Sequence, residues 1–340
     1  MDTRDKPYVM GLDLGGTNSV FGIVDAAGSI VAETSVKTCG HGPEPETYVR
    51  DCVEALRPII DQVGGVAQIR GLGIGAPNGN YYSGCIEYAP NLPWGKERIP
   101  LARMFSEALG IPVAMTNDAN AAAMGEMAYG AAKGMKNFIM ITLGTGVGSG
   151  IVCDGKLVYG SDGLAGELGH VIVEPRNGRL CGCGRKGCLE AYCSATGVAR
   201  TAKEILSTTD TPTLLRETPL DEIESKHVSL AAARGDEVAR SIMEFTGRML
   251  GLACANFVCF NSPEAIIFFG GLTKAGDLLM KPVRQSFEEH ILRCYEGKTR
   301  LLVSRLDDAK AAVLGASALA WDFVPSVCLS PSQTLPQGRA

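Results

Sequence analysis

The sequence predicts an α/β protein of two domains, in which mixed sheets are covered by helices. Its 340 residues are long for one domain and comfortable for two. Short apolar segments alternate with helical patterns along the chain, which is typical of mixed sheets flanked by helices. A three-stranded meander with glycine and threonine after its first strand occurs twice, over residues 8–36 and 138–158. This recurrence indicates an internal duplication.

The order of these elements predicts where the domains begin and end. Residues 1–118 form a small N-terminal α/β domain, which a C-terminal helix at 310–325 completes. Residues 119–309 form a larger α/β domain that contains a long loop at 167–190. The last residues, 328–340, are rich in serine, proline and glutamine, and we expect them to be a disordered tail.

The composition excludes several classes of protein. Hydrophobic residues make up 46% of the chain and charged residues 20%, as in a globular protein. A net charge of −5 gives no electrostatic footprint for nucleic acid, and the longest apolar runs are too short to span a membrane. Because the N-terminus lacks the apolar segment of a signal peptide, we expect a cytoplasmic protein whose twelve cysteines are mostly reduced thiols.

Two glycine-rich turns follow predicted strands and are suited to bind phosphate. They are Asp13-Leu-Gly15-Gly16-Thr17 and Leu143-Gly-Thr145-Gly146-Val-Gly148. Glycine allows backbone N–H groups to converge on phosphate oxygens, and Asp13 can hold Mg²⁺. The second turn resembles a dinucleotide fingerprint, but a strand pattern follows it, which argues against a Rossmann site. Plain glycine turns remain the alternative for both.

Two shorter motifs also stand at strand ends. Asn117-Asp118 opens a helix, where the pair can cap the helix or, in a phosphoryl-transfer site, supply a carboxylate that accepts a proton. Gly270-Gly271 follows an apolar strand, and such a pair lets a flat ring approach the backbone. An ordinary strand-to-helix turn is the alternative for the glycine pair.

One histidine and three cysteines have the spacing of a metal site. His170, Cys181, Cys183 and Cys188 follow the pattern H-x10-C-x-C-x4-C in a glycine-rich segment. Three thiolates and an imidazole form a closed tetrahedral set, which suits structural Zn²⁺ and leaves no open position for catalysis. A disulfide or buried free thiols are the alternatives, and a cytoplasmic location disfavours the disulfide.

Taken together, these residues resemble the ROK family of sugar kinases and sugar-responsive repressors. The resemblance extends over residues 8–321, and its most specific parts are Glu167-Leu-Gly-His170 and Cys181-x-Cys-Gly-x-x-Gly-Cys188-Leu-Glu190. It implies two ribonuclease H-like (actin-like ATPase) domains with a cleft between them. It also implies ATP and Mg²⁺ as cofactors, a structural Zn²⁺ in the loop 167–190, and assembly as a homodimer or homotetramer.

The resemblance further implies a role for each matching residue. Asp118 is expected to be the catalytic base, and the metal ligands are expected to be His170, Cys181, Cys183 and Cys188. The residues expected to bind sugar hydroxyls are Gly79, Asn91, Asn117, Asp118, Glu167, His170 and Glu190. The residues expected to contact the nucleotide or its metal are Asp13, Gly15, Gly16, Thr17, Thr145, Gly146, Gly270 and Gly271.

The expected function is that of an ATP-dependent hexose kinase, with glucose as the first choice of sugar. Kinases of N-acetylglucosamine, N-acetylmannosamine or fructose share most of the expected site and remain alternatives. A non-catalytic sugar-sensing regulator is the alternative from another class. Repressors of this family carry an N-terminal DNA-binding domain, whereas only seven residues precede the first predicted strand here, and this favours the enzyme.

Overall fold

A computed structural model of the protein describes residues 5–89, 92–95, 97–306 and 308–322. The strands are, in chain order, β1 (Tyr8–Leu14), β2 (Asn18–Asp25), β3 (Ile30–Lys37), β4 (Ile69–Gly75), β5 (Gly79–Asn80), β6 (Cys85–Glu87), β7 (Arg98–Ile99), β8 (Val113–Thr116), β9 (Phe138–Leu143), β10 (Val147–Cys153), β11 (Lys156–Leu157), β12 (Ala265–Phe269) and β13 (Arg300–Val303). The α-helices are α1 (Pro45–Gln62), α2 (Leu101–Leu109), α3 (Asp118–Tyr129), α4 (Glu190–Cys193), α5 (Ala195–Thr208), α6 (Ser225–Ala233), α7 (Glu237–Asn261), α8 (Asp277–His290) and α9 (Asp308–Asp322).

The described residues fall into two compact units, one formed by 5–117 with 312–322 and the other by 118–311. Each unit contains a five-stranded sheet, ordered β3-β2-β1-β4-β8 in the first and β11-β10-β9-β12-β13 in the second. In the first sheet, β1, β2 and β3 pair antiparallel to one another in chain order, and β4 and β8 run parallel to β1. The second sheet repeats this pattern, because β9, β10 and β11 pair antiparallel and β12 and β13 run parallel to β9. The α/β architecture with mixed sheets, predicted from the sequence, is therefore confirmed.

The sheet of the first unit is covered on both faces because alternate residues of a strand point to opposite sides. Met10, Leu12 and Leu14 of β1 belong to a buried cluster with side chains of α1 and α2. The other face of β1 carries Gly11, whose register neighbours on β2 and β4 are also glycines. This row of glycines has no side chains, so α9 can lie directly on the backbone of the sheet.

Gly73, the β4 member of that row, leaves no room for a side chain. A Cβ atom there would lie 1.8 Å from the carbonyl oxygen of Ala316 in α9. Because the obstacle is backbone, we expect Gly73→Ala to lower the free energy of unfolding by at least about 3 kcal/mol. Chemical denaturation measures this change, with the exposed substitution Ser35→Ala on β3 as the control. An unchanged midpoint for Gly73→Ala would contradict the close packing of α9.

The sheet of the second unit also has an apolar core on each face. Ile139, Ile141 and Leu143 of β9 pack in a cluster with residues of α5, α7 and α8. The alternate residues, Phe138 and Met140, pack on the other side with alanines of α3. The small side chains of α3 bring that helix close to the sheet, and this closeness positions the first residue of the helix.

Within the part of the chain that the structure describes, every helix is too short or too polar to cross a membrane. The expected sugar ligand Asn91 and the predicted tail 328–340 lie outside the described residues.

Candidate active site

The candidate residues of the first unit lie at the carboxyl edge of its sheet. Strands β1, β4 and β8 are parallel, and the register places Asp13 beside Gly75 and Gly75 beside Thr116. The segments that follow these strands therefore emerge at one edge, where ligands bind in open α/β sheets. They carry the first glycine turn, Gly79 and Asn117.

Gly79 lies against the end of β8. Its N–H donates to the carbonyl of Ala76 at 3.0 Å, and Ala76 N–H donates to Thr116 at 3.1 Å. A Cβ atom on Gly79 would come within 2.4 Å of the Thr116 carbonyl oxygen, so glycine is required for this approach. The loop after β4 is thus held next to the end of β8, which Asn117 follows.

The first glycine turn is a closed turn between β1 and β2. Gly15 N–H donates to the carbonyl of Asn18 at 3.0 Å, and Thr38 N–H donates to the carbonyl of Thr17 at 2.9 Å. Gly15 and Gly16 are partly buried, whereas Thr17 is exposed. The turn can therefore present the Thr17 hydroxyl to a ligand while its backbone stays anchored.

Asp118 is the first residue of α3 and the first residue of the second unit. Its Oδ1 accepts a hydrogen bond from Ala119 N–H at 2.8 Å, and its side chain is exposed. Helix α3 rests on β10, since Cβ atoms added to Gly148 and Gly150 would lie 2.9 Å and 2.7 Å from alanine Cβ atoms of α3. This contact places the Asp118 carboxylate close to the strand that leaves the second glycine turn.

The second glycine turn and the glycine pair lie at one edge of the second sheet. Because β9 and β12 are parallel and Phe269 pairs with Thr142, Gly270 follows directly beside the end of β9. Gly270 has φ +106°, and a Cβ atom there would lie 2.6 Å from the carbonyl oxygen of Leu143. Around Gly271, by contrast, a Cβ atom would meet none of the described atoms within 4 Å, so a flat group can approach it.

The N-terminus of α5 holds the second turn in place. Ala195 N–H donates to the carbonyl of Gly144 at 2.8 Å, and the Thr196 hydroxyl donates to the carbonyl of Thr145 at 2.9 Å. Both carbonyls are thereby occupied. Among the described residues, hydrogen bonds also occupy the N–H groups of Gly144, Val147 and Gly148. The N–H groups of Thr145 and Gly146 are the donors of the turn that remain for a ligand. A phosphate group needs such donors, because its oxygens accept hydrogen bonds.

Glu190 joins the second turn to the cysteine loop. One carboxylate oxygen, Oε2, accepts from Val147 N–H at 2.9 Å, and the other, Oε1, lies 3.5 Å from Cys181 Sγ. A Cβ atom on Gly146 would come within 2.4 Å of Oε2, so Gly146 leaves space for the carboxylate.

Glu167 shares an electrostatic environment with Asp118, His170 and Glu190. Although 57% of its side-chain surface is exposed, the surrounding protein excludes enough water to raise the pKa of Glu167. The charges of Asp118 and Glu190 raise that pKa further, whereas His170 lowers it. His170 Nε2 lies 3.9 Å from Glu167 Oε2. The second unit therefore brings together three carboxylates and an imidazole predicted from the sequence.

His170, Cys181, Cys183 and Cys188 also converge, with ligand atoms that all lie within 4.8 Å of one another. Sulfurs bound to one tetrahedral zinc would stand about 3.8 Å apart, and a sulfur and a nitrogen about 3.6 Å apart. The observed Cys183–Cys188 Sγ distance is 3.7 Å, and Cys181 Sγ lies 3.8 Å from His170 Nδ1. The donor set fits a zinc ion, and the three cysteines are free thiols that are not joined by a disulfide bond.

Two supporting side chains were missed by the sequence reasoning. The Arg179 guanidinium donates to Thr201 Oγ1 at 2.9 Å and to the carbonyl of Ala191 at 3.2 Å, and it stacks on the Tyr192 ring at 4.7 Å. These contacts fix the cysteine loop on α4 and α5. The Ser149 hydroxyl donates to the carbonyl of Gly166 and accepts from Leu168 N–H, which fixes the segment before His170. No spacing pattern marks either residue.

Two units with one strand order, each carrying a glycine turn at the carboxyl edge of its sheet, define an α/β protein of the actin-like ATPase class. The sequence matches the ROK family over residues 9–322, and the chain belongs to that family.

Known proteins similar to this chain include enzymes and a regulator. A glucokinase from Halalkalibacterium halodurans is 38% identical over 292 residues, which cover 85% of this chain and 87% of the relative. The xylose repressor of Caldicellulosiruptor bescii is 27% identical over 318 residues, 93% of this chain and 78% of the repressor. The crystal structure of a ROK family glucokinase from Streptomyces griseus, in complex with glucose and AMPPNP, aligns with a TM-score of 0.74 at 35% identity, covering 92% of this chain and 98% of that one.

Proposed function

We propose that the protein is a glucokinase, which transfers the γ-phosphoryl group of ATP to D-glucose and yields glucose 6-phosphate and ADP. The observation that carries the proposal is the position of Asp118, at the start of α3 beside a strand that leaves a glycine turn. Around it lie Glu167, His170 and Glu190, whose charges act on one another. Similarity to glucokinases supports the choice of glucose.

In the proposed reaction, the Asp118 carboxylate orients the 6-hydroxyl of glucose and accepts its proton. The hydroxyl oxygen forms a bond to the γ-phosphorus, and the bond from that phosphorus to the β,γ-bridging oxygen breaks, so that ADP leaves. Positioning contributes most of the rate enhancement, because phosphoryl transfer requires little covalent assistance from the protein. When bound, Mg²⁺ would neutralise charge on the phosphates, and Asp13 is the residue we assign to hold it.

The sugar hydroxyls need polar partners, since each group buried on binding loses its hydrogen bonds to water. We assign this role to seven residues, which are Gly79, Asn91, Asn117, Asp118, Glu167, His170 and Glu190. The carboxylates accept from hydroxyls, and the asparagine amides both donate and accept.

We assign the nucleotide to the glycine segments. The turns that contain Gly15, Gly16 and Gly146, with the hydroxyls of Thr17 and Thr145, would bind the phosphates, and Gly270 and Gly271 would border the adenosine. The hydrogen bonds within the second turn support this assignment, because among the described residues they leave the N–H groups of Thr145 and Gly146 as the donors for the ligand.

We also propose that zinc binds to His170, Cys181, Cys183 and Cys188 as a structural ion. The convergence of the four donor atoms within 4.8 Å of one another supports the ion, and four protein ligands would leave no position for a reacting group. The ion would fix the loop between Glu167 and Glu190 and keep both carboxylates in place.

A cytoplasmic location, assembly as a homodimer or homotetramer, and domain boundaries at 118 and 309 stay predictions.

A coupled assay of ADP release tests the function. Purified protein with ATP and Mg²⁺ is assayed against glucose, mannose, fructose, N-acetylglucosamine and N-acetylmannosamine. We expect the highest kcat/KM with glucose. A higher kcat/KM with an N-acetylhexosamine or with fructose would identify that sugar, instead of glucose, as the preferred substrate. Sugar binding without ADP release from any sugar would instead identify a non-catalytic sensor.

A further inference from the structure

A chain of buried hydroxyl groups ends on the first glycine turn. The Tyr48 hydroxyl of α1 donates to Ser19 Oγ at 2.7 Å, and Ser19 Oγ lies 2.9 Å from Thr38 Oγ1. The Thr38 hydroxyl donates to the carbonyl of Gly15 at 2.7 Å. Tyr48, Ser19 and Thr38 are each at most 1% exposed. A helix residue distant in sequence is thus connected to the backbone of the turn.

The chain has a fixed direction because each hydroxyl carries one proton. Thr38 uses its proton on the Gly15 carbonyl, so the bond between Ser19 and Thr38 is donated by Ser19. The Ser19 oxygen in turn accepts from Tyr48. Burial raises the pKa of the Tyr48 hydroxyl, which therefore stays protonated and remains the donor. Aligned bonds of this kind strengthen one another in a low-dielectric interior.

Aromatic packing fixes the far end of this chain. The Tyr48 ring lies 5.0 Å from the ring of Trp94 and 6.3 Å from that of Phe105 in α2, measured between centroids. The His41 ring contacts it edge-on at 5.5 Å. With its ring held on three sides, Tyr48 can place its hydroxyl accurately. The Gly15 carbonyl thereby accepts a hydrogen bond from a buried hydroxyl, and its N–H is held within the turn by the carbonyl of Asn18, so the backbone of the turn is fixed at both groups.

We propose that Thr38 and Tyr48 are positioning residues for the nucleotide, which act through the hydroxyl chain by holding the first glycine turn in its phosphate-binding conformation. The inference rests on the proposed kinase function and on the assignment of Gly15, Gly16 and Thr17 to the phosphates. It adds two buried residues that would touch neither substrate.

Tyr48→Phe tests the proposal because it removes the donor at the end of the chain and keeps the ring. We expect KM for ATP to rise about three- to tenfold, with KM for glucose and kcat each changed by less than about twofold. The dissociation constant of AMPPNP, measured without sugar, should rise by the same factor as KM for ATP. A structural role alone would lower the melting temperature without separating the two KM values.

Two matched variants of Thr38 test the positioning role even if Tyr48→Phe folds poorly. Thr38→Val deletes the hydroxyl that contacts the turn, whereas Thr38→Ser retains it. We expect Thr38→Val to weaken AMPPNP binding at least as much as Tyr48→Phe, and Thr38→Ser to restore it to within about twofold of wild type. If wild type binds AMPPNP and both deletions bind it equally well, the positioning role is overturned. If wild type itself fails to bind AMPPNP, the proposed function fails first.

Discussion

Asp118→Asn should lower kcat for glucose by about 10²- to 10⁴-fold while changing the dissociation constant for glucose by less than about threefold. An amide cannot accept the proton of the attacking hydroxyl, but its oxygen can still accept a hydrogen bond. The bond from Ala119 N–H, now 2.8 Å from Asp118 Oδ1, can therefore persist at the start of α3. The substitution thus separates the chemical step from folding and binding.

Steady-state kinetics and calorimetric titration with glucose measure the two effects. Asp210→Asn is the matched control, because Asp210 is an exposed carboxylate of the same unit, and it should leave kcat unchanged. Glu167→Gln distinguishes the base from its neighbour: it should raise KM for glucose more than it lowers kcat. A near-normal kcat in Asp118→Asn would remove Asp118 from the chemical step.

Much of the candidate site could be predicted because strand order alone determines where loops meet. Motifs placed after β1, β4 and β8 must share an edge once those strands are parallel, and the same holds for β9 and β12. The spacing of His170 and the three cysteines was likewise informative, since a metal constrains ligand positions more strictly than packing does.

The remaining features depend on contacts between distant residues. The apolar pattern of residues 189–206 is that of a single helix, but the structure has two. Helix α4 ends at Cys193, and Ser194 is extended, with ψ 167°. The Ser194 hydroxyl accepts from Gly197 N–H at 2.9 Å and starts α5. The break frees the N-terminus of α5 to bind the second glycine turn. In the sequence, this helix start is indicated by Ser194, because serine is a common residue at the N-cap of a helix.

Helix α6 could not be predicted from its apolar pattern, because its residues have little amphipathic contrast. The hydroxyl chain from Tyr48 to Gly15 could not have been predicted from spacing, since it joins three elements of the first unit. Its members look like ordinary core and strand residues in the sequence.

Cys183→Ala should abolish stoichiometric zinc binding and raise KM for glucose by about tenfold or more. A site left with three protein ligands loses much of the free energy that structural zinc contributes to the fold. Cys183 is exposed, so its loss creates no apolar cavity, and the effect reports on the metal. Elemental analysis of the purified protein should find about one zinc per wild-type chain and far less in the variant.

The sugar effect follows from the two ends of the cysteine loop. His170 directs Nδ1 toward Cys181 and Nε2 toward Glu167, and Glu190 lies 3.5 Å from Cys181 Sγ. Loss of the ion would release both carboxylates from their positions, and ordering them again on binding would cost affinity. The first glycine turn does not contain a ligand of this ion, and the second turn is also held by Ala195 and Thr196 of α5. The dissociation constant of AMPPNP should therefore change less than that of glucose.

Cys259→Ala is the matched control, because Cys259 is another exposed thiol of the same unit and lies outside the ligand set. It should retain full zinc content and wild-type KM for glucose. If the purified wild-type protein contains no zinc, the metal assignment is overturned. If Cys183→Ala lacks zinc but has a normal KM for glucose, the ion stabilises the fold without affecting sugar binding. Because the donor atoms converge within 4.8 Å of one another and Glu190 bridges them to the second glycine turn, we expect metal loss and weaker glucose binding to occur together.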